Sequence, residues 1–223
     1  MKKITDKFGS NPGGVYQDEK GENFYVKFYD KTGQMGAEVM CARVYEAMGI
    51  ATTQPEIKLV DDRIAIVTPW NCNLKRIAAQ DFLKLSDSNK KQLARIFYAA
   101  VLTKNWDIIG LEYDNVMLDS ATENLVVVDC GGAFEYRARG AYKHYGPDIC
   151  EVISLRNPEH AAGRVFNELF SEKGGVMYAM IENLLFDLLK PTVVKTLFKS
   201  ATNRGKIFSK RLAMLRALSP SEE

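Results

Sequence analysis

The chain has 223 residues, of which 46% are hydrophobic and 26% are charged, and its formal net charge is +2. This composition is ordinary for a globular protein, and so small a net charge argues against a nucleic-acid partner. Four cysteines are scattered without a CxxC pair, which argues against a zinc site or a disulfide framework and favours a cytoplasmic location. No apolar stretch reaches the roughly 20 residues that span a bilayer, so we expect no integral membrane association.

The N-terminal part of the chain has the pattern of strands and turns with one helix. The glycine-rich residues 9–14 predict a flexible turn. Apolar residues at helical spacing predict a helix over residues 34–48 that ends at Gly49. Aromatic and β-branched runs predict strands over the segments 15–17, 24–29, 56–60 and 63–67.

From about residue 71 the pattern becomes mostly helical. Apolar periodicity predicts helical structure throughout from about residue 161 and, in particular, helices over the segments 88–103, 176–189 and 203–218. Two short apolar strands are predicted at 116–118 and 125–128, with a polar turn between them.

These elements predict an α+β fold with two lobes. Residues 1–70 would form a small antiparallel sheet lobe with one helix, and residues 71–223 a larger, mostly helical lobe. The boundary from Trp70 to Asn73 would be a hinge beside a cleft, where ligands tend to bind.

Lys27 is unusual because it lies in the middle of an aromatic strand. Strand alternation puts Tyr25, Lys27 and Tyr29 on one face of the strand. Glu38, on the following helix, falls at the border of the apolar face, where its carboxylate could hold the lysine ammonium. Such a lysine can reach nucleotide phosphates. The alternative is an exposed lysine on an edge strand and an ordinary surface carboxylate at Glu38.

Asn115 and Asp129 flank the predicted hairpin of two short strands. Asn115 precedes the first strand and Asp129 follows the second, so a tight hairpin would bring both side chains to one end. Oxygen donors of this kind suit Mg²⁺, which keeps water or phosphate oxygens at its other positions. The alternative for Asp129 is a turn residue before the glycines.

Asp107 follows the helix that is predicted to end near residue 103. A phosphoryl-transfer enzyme needs a carboxylate near the acceptor hydroxyl to orient it and to take its proton. Asp114 is a rival for this role or for metal binding, and either residue could simply cap a local turn.

The order of Lys27, Glu38, Asp107, Asn115 and Asp129 resembles that of kinase-like folds. The stretch NWDIIGLEYDNVMLD, followed by VVVDCGGAFEYRARG, resembles an uncharacterised bacterial and phage branch of the atypical phosphatidylinositol 3/4-kinase-like and HipA-like group. This resemblance covers roughly residues 9–170 and implies a two-lobed protein-kinase-like fold that uses ATP and Mg²⁺.

The resemblance also implies roles for individual residues. Lys27 would contact the α- and β-phosphates and pair with Glu38, and Asp107 would be the catalytic aspartate. Asn115 and Asp129 would hold Mg²⁺. Backbone N–H groups of the glycine-rich turn would cover the phosphates. The residues expected around the nucleotide are therefore Ser10, Gly13, Gly14, Lys27 and Trp70.

The chain departs from the patterns of related kinases at four places. The separation of Asp107 from Asn115 is longer than in those relatives. The loop around Asp107 has no histidine in the manner of an HRD triplet or a D-x-H element. The metal motif is DCG rather than DFG, and the glycine-rich turn does not match GxGxxG. The basic residues after the metal motif are predicted to lie in a solvated loop, although they could meet an acidic substrate or a phosphate: Arg137, Arg139, Lys143 and His144.

The leading functional hypothesis is an ATP- and Mg²⁺-dependent kinase that transfers the γ-phosphoryl group to Ser or Thr of a protein. The protein itself is included as a substrate, with Ser10 as one candidate site. The missing histidine motivates an alternative, a pseudokinase that binds nucleotide without turnover. A third hypothesis keeps the fold and changes the reaction to AMP transfer or to phosphorylation of a small molecule or lipid.

Overall fold

The computed structural model describes residues 1–6, 11–171, 188–199 and 201–218. Ser10 and nearly all of the helix predicted over 176–189 lie outside these residues. In the described part of the chain, no helix is both long enough and apolar enough to cross a membrane.

The N-terminal part forms a complete five-stranded antiparallel sheet and one long helix. The strands follow the order β1-β2-β3-β6-β5. The elements up to Pro69 are β1 (Lys2–Thr5), β2 (Gly13–Gln17), β3 (Asn23–Lys27), α1 (Thr32–Ala47), β4 (Ala51–Thr52), β5 (Glu56–Val60) and β6 (Arg63–Pro69). The predicted antiparallel sheet with a single helix is therefore confirmed, whereas β1 and β4 were not predicted.

Alternation along β3 separates two packed surfaces. Val26 and Phe28 join an apolar cluster on one side of the sheet, and Tyr29 joins Met35 of α1 on the other side. Lys27 has the same parity as Tyr29, as the sequence predicted, so its side chain lies on the α1 side. Gly49 has a φ of 70°, a left-handed conformation that ends α1 where the sequence predicted.

A second sheet contains strands from both parts of the chain. It is built from β7 (Leu74–Arg76), β8 (Val116–Asp119) and β9 (Asn124–Val127), with β4 pairing in parallel with β9. The predicted hairpin is present as β8 and β9. Because β4 belongs to this sheet, the two parts of the chain share hydrogen-bonded structure, and the division at residue 70 stays a prediction.

The helices after β7 begin with a short 3₁₀ helix, Ala79–Lys84. The α-helices are α2 (Asp87–Thr103), α3 (Glu151–Ser154), α4 (Ala161–Leu169), α5 (Pro191–Leu197) and α6 (Thr202–Leu218). The long stretch between β9 and α3 is irregular. The C-terminal part is thus not clearly the mostly helical lobe that was predicted, because side-chain and turn contacts rather than helical ladders hold this stretch.

Helix α2 forms the centre of the core and leads to the candidate site. Its N-terminus is capped by Ser86, whose hydroxyl oxygen accepts a hydrogen bond from the backbone N–H of Asn89 at 3.2 Å. Leu93, Ile96 and Phe97 are fully buried. The helix ends at Lys104, whose left-handed φ of 53° turns the chain sharply into the loop that contains Asp107.

Arg211 connects α6 to the irregular stretch. Its guanidinium is fully buried and donates hydrogen bonds to the backbone carbonyls of Val101 at 2.5 Å and Gly146 at 2.9 Å. It also forms an ion pair with the buried carboxylate of Glu151. The basic helix at the C-terminus is therefore docked onto the core through one of its charged residues as well as through its apolar ones.

We expect Arg211→Met to lower the free energy of unfolding by about 3–5 kcal/mol, because the buried Glu151 carboxylate loses an essential partner. Urea unfolding measures this loss. Lys210→Met is the matched control, since Lys210 is exposed on the same helix, and its effect should stay within about 0.5 kcal/mol. Similar losses in the two variants would contradict the role given to Arg211.

Candidate functional site

A buried ammonium group connects three separate elements of the chain. Lys27 Nζ, from β3, lies 2.5 Å from Glu38 Oε1 of α1 and 3.3 Å from Asp129 Oδ2 after β9. The side chains of Lys27 and Glu38 are only 7% and 1% exposed, and that of Asp129 is 34% exposed. The alternative of a solvent-facing lysine and a surface carboxylate is therefore wrong for this pair.

Tyr29 completes the surroundings of Glu38. Its hydroxyl donates a hydrogen bond of 2.6 Å to Glu38 Oε2, so both carboxylate oxygens have a donor. A buried carboxylate requires such partners because it has lost its hydration. Sequence analysis assigned Tyr29 no role at the site, although strand alternation had placed it on the same face as Lys27.

The electrostatics keep the lysine charged. Burial by itself would lower the pKa of Lys27, but the carboxylates of Asp129 and Glu38 outweigh burial and hold this pKa well above its ordinary value. Burial raises the pKa of the Tyr29 phenol, which therefore stays protonated as a hydrogen-bond donor. The site thus offers a permanent positive charge whose Asp129 partner is partly open to solvent.

The loop after β9 fixes the orientation of Asp129. The backbone N–H of Gly131 donates to Asp129 Oδ1 at 2.8 Å. Gly131 packs so closely on the Tyr29 hydroxyl that a Cβ atom would collide with it. Gln34 of α1 is buried and donates to the Gly131 carbonyl at 3.1 Å. The carboxylate is therefore held by its own loop, and the loop is held by α1.

Asn115 connects Asp107 to the end of the hairpin. Its Nδ2 donates to the Asp107 carbonyl at 2.6 Å and to Asp107 Oδ2 at 3.3 Å. Its own backbone carbonyl accepts a hydrogen bond of 3.0 Å from the N–H of Val128, the residue before Asp129. The hairpin thus brings Asn115 and Asp129 to one end, as the sequence predicted.

Asp107 has an unusual protonation equilibrium. Burial, and then the nearby negative charge of Asp129, raise the pKa of Asp107 to about 6. Asp114 also contributes negative charge, but the amide of Asn115 hydrogen-bonds to the Asp107 carboxylate. The raised pKa makes Asp107 a group that could exchange a proton near neutral pH.

The donor set around Asp129 is compatible with Mg²⁺ but small. Within the described ranges, no group of three or more His, Cys, Asp or Glu side chains could hold a metal ion. Asp129 and the Asn115 amide oxygen supply hard oxygen donors. Mg²⁺ commonly binds through one or two protein ligands while phosphate and water oxygens fill its other positions. The residues therefore fit a metal that arrives with a polyphosphate.

Of the other predicted nucleotide-site residues, the two glycines lie beside the Lys27 end of β3, whereas Trp70 lies at the opposite end, where its backbone N–H donates to the Asn23 carbonyl. Gly13 pairs directly with Lys27, and Gly14 pairs with Val26. Both glycines belong to β2, so the predicted turn does not extend over them. Their φ values of 151° and 148° and the nearby backbone favour glycine. Trp70 follows β6, and its ring centroid lies 6.4 Å from that of Tyr25.

The segment after the metal motif is a small hairpin rather than a solvated loop. Backbone N–H groups of Arg137 and Lys143 donate to the carbonyls of Ala141 and Glu135 at 2.8 and 2.9 Å. The side chain of Lys143 is buried and donates to the Gly132 carbonyl at 2.5 Å. The solvated-loop prediction is therefore wrong for Lys143, although Arg137, Arg139 and His144 are exposed.

The sheet, the helix and the buried lysine define an α+β protein with a kinase-like fold. The structure is similar to the crystal structure of the proinflammatory kinase CtkA from Helicobacter pylori, with a TM-score of 0.51 and 11% sequence identity. The match covers 98% of this chain and 96% of that chain. No family model and no curated protein matches the sequence. The likeness concerns the fold, and the finer resemblance to the HipA-like group stays a prediction.

We expect Tyr29→Phe to lower the free energy of unfolding by about 1.5–3 kcal/mol, because a hydrogen bond to a buried carboxylate is lost. Urea unfolding measures the change. Tyr16→Phe is the matched control, since Tyr16 is buried with Phe28 on the other side of the sheet, and we expect a change within about 0.5 kcal/mol. Equal losses would contradict the proposed importance of the contact with Glu38.

Proposed function

We propose that the protein is an ATP- and Mg²⁺-dependent kinase that transfers the γ-phosphoryl group to Ser or Thr of a protein substrate, itself included. The observation that carries this proposal is the Lys27 ammonium between Glu38 and Asp129, at 2.5 and 3.3 Å. A buried ion triad is costly to maintain for stability alone. A triad whose third member, Asp129, is partly exposed is suited to binding a charged ligand at its open side.

In this proposal Lys27 binds the phosphates while Glu38 and Tyr29 keep its ammonium in position. Asp129 and Asn115 hold Mg²⁺, which supplies positive charge against the phosphate oxygens. The acceptor hydroxyl oxygen forms the new bond to the γ-phosphorus, and the bond between that phosphorus and the bridging oxygen of ADP breaks. Asp107 orients the hydroxyl and accepts its proton.

The proposal is supported by how the carboxylates are distributed. The negative charge of Asp129 contributes to the raised pKa of Asp107, so the two carboxylates repel each other. Positive charge from Lys27 and from a metal would relieve this repulsion and bring the triphosphate to the acceptor. Asn115 bridges the two sides, because its amide donates to Asp107 while its oxygen remains for the metal.

Incubation with ATP that is labelled on the γ-phosphate tests the proposal. We expect wild type to label itself or an added protein extract, and Asp129→Asn to abolish the transfer because a metal-binding carboxylate is lost. Asp62→Asn, in the exposed turn between β5 and β6, is the control and should retain full activity. Chelation of Mg²⁺ should stop the wild-type reaction.

Other outcomes of this experiment would identify the alternatives. Thermal stabilisation by Mg-ATP without any label transfer would overturn the proposal in favour of a pseudokinase. Transfer of an α-phosphate label together with AMP, instead of the γ-phosphate label, would indicate AMP transfer.

The pH dependence of kcat/KM tests the role of Asp107. Because the pKa of this carboxyl is raised to about 6, the base form is lost below that pH, and kcat/KM should rise as the pH increases through about 6. Asp107→Asn should lower kcat by about 10²–10⁴-fold and remove this rise. A wild-type profile that stays flat between pH 5 and 8 would contradict the assignment.

A further inference from the structure

Trp106 lies beside Asp107 and is surrounded by cations. Its ring centroid is 5.5 Å from Lys104 Nζ, 5.2 Å from the Arg137 guanidinium carbon and 5.4 Å from Lys143 Nζ. The residue is 40% exposed. A large exposed aromatic ring flanked by three positive charges is uncommon on a surface whose only purpose is solubility. We call Trp106, Arg137 and Lys143 the cationic tryptophan site.

Buried contacts hold the indole in place. Its Nε1–H donates to Glu151 Oε1 at 3.2 Å. Glu151 is itself fully buried, and it also pairs with Lys104 at 3.3 Å and with Arg211. The negative charge of Glu151 is therefore shared by the indole and two cations, and the orientation of the ring is determined before any ligand binds.

The charges at this site do not balance. Among the residues that the structure describes, no carboxylate oxygen lies within 4.0 Å of the Lys143 ammonium or the Arg137 guanidinium. Lys143 is 9% exposed and donates to the Gly132 carbonyl. Desolvation lowers the pKa of Lys143 to about 7, because the negative charge near the ammonium does not offset the cost of burying it. An anion at the open side would supply that charge.

The cationic tryptophan site is next to the proposed acceptor position. Trp106 precedes Asp107 in the chain. Gly132, which accepts the Lys143 hydrogen bond, packs so tightly on Asp107 that a Cβ atom there would lie 3.0 Å from Asp107 Cβ. A group bound over Trp106 would thus lie near enough to Asp107 for one substrate molecule to contact both residues.

The hairpin that carries Arg137 is attached to α1. Gln34 Nε2 donates to the carbonyls of Arg137 and Ala138 at 3.3 and 3.2 Å, and Lys31 Nζ donates to that of Gly140 at 2.8 Å. These contacts hold the backbone of Arg137, so little ordering of the hairpin is needed when a ligand binds. The site is therefore formed in advance on the acceptor side of Asp107.

We propose that the cationic tryptophan site binds an acidic side chain next to the Ser or Thr that is phosphorylated, so that the substrates are acidic peptides. Arg137 and Lys143 pair with the carboxylate, and the Trp106 ring packs against its methylene groups. This inference rests on the proposed kinase function for the identity of the acceptor, but its binding test is independent of turnover.

The test compares two short fluorescent peptides, each with one central Ser. One peptide has Glu on both sides of the Ser, and the other has Gln at those positions. Their affinities are measured by anisotropy with Mg²⁺ and a non-hydrolysable ATP analogue present. We expect the Glu peptide to bind wild type about tenfold more tightly at low salt and this preference to shrink at high salt.

Arg137→Gln should remove most of the preference. Arg139→Gln is the matched control, because it removes the same charge from an exposed position of the same hairpin, and it should keep the preference. Equal binding of the two peptides by wild type, or equal losses in the two variants, would overturn the inference. Preferential binding without phosphoryl transfer would support the site and contradict the kinase proposal. Phosphoryl transfer without a preference for the Glu peptide would support the kinase proposal and contradict the role given to the cationic tryptophan site.

Discussion

One buried charge organises the structure around the candidate site. The Lys27 ammonium has lost nearly all contact with water, so it must find carboxylates, and these come from α1 and from the loop after β9. Pairing the Lys27 ammonium with both carboxylates requires the first sheet, helix α1 and the β8–β9 hairpin to meet at one point. Tyr29 and Gly131 reinforce the same meeting point, because the phenol donates to Glu38 and packs against the glycine.

Asp107 has charged neighbours of two different kinds. Asp129, whose negative charge contributes to the raised pKa of Asp107, is paired with Lys27. Trp106, the residue before Asp107, is held by Glu151 with cations around it. In the kinase proposal, the triphosphate would bind next to Lys27 and the acceptor next to Trp106.

Local patterns predicted a large share of the fold. The strand that carries Lys27, helices α1 and α2, and the β8–β9 hairpin all lie within a few residues of their predicted bounds, because alternation, helical periodicity and polar turns act over short distances. The strands β4 and β7 were missed since they have only two and three residues, too few to show a period, and β1 was missed since its sequence, KKIT, is mostly polar and fully exposed. The hairpin after the metal motif was missed because its anchors lie in α1.

The sequence by itself determined which residues stand at strand ends and which lysine interrupts an apolar strand, since both follow from neighbouring residues. Only the tertiary structure decided that Glu38 points inward, that Tyr29 is its second partner, and that Lys143 is buried beside Trp106. The physical reason is distance along the chain: Lys27 and Asp129 are separated by about half of the sequence, and no local preference encodes such a contact. It forms because an unpaired buried charge costs more free energy than ordering the chain around it.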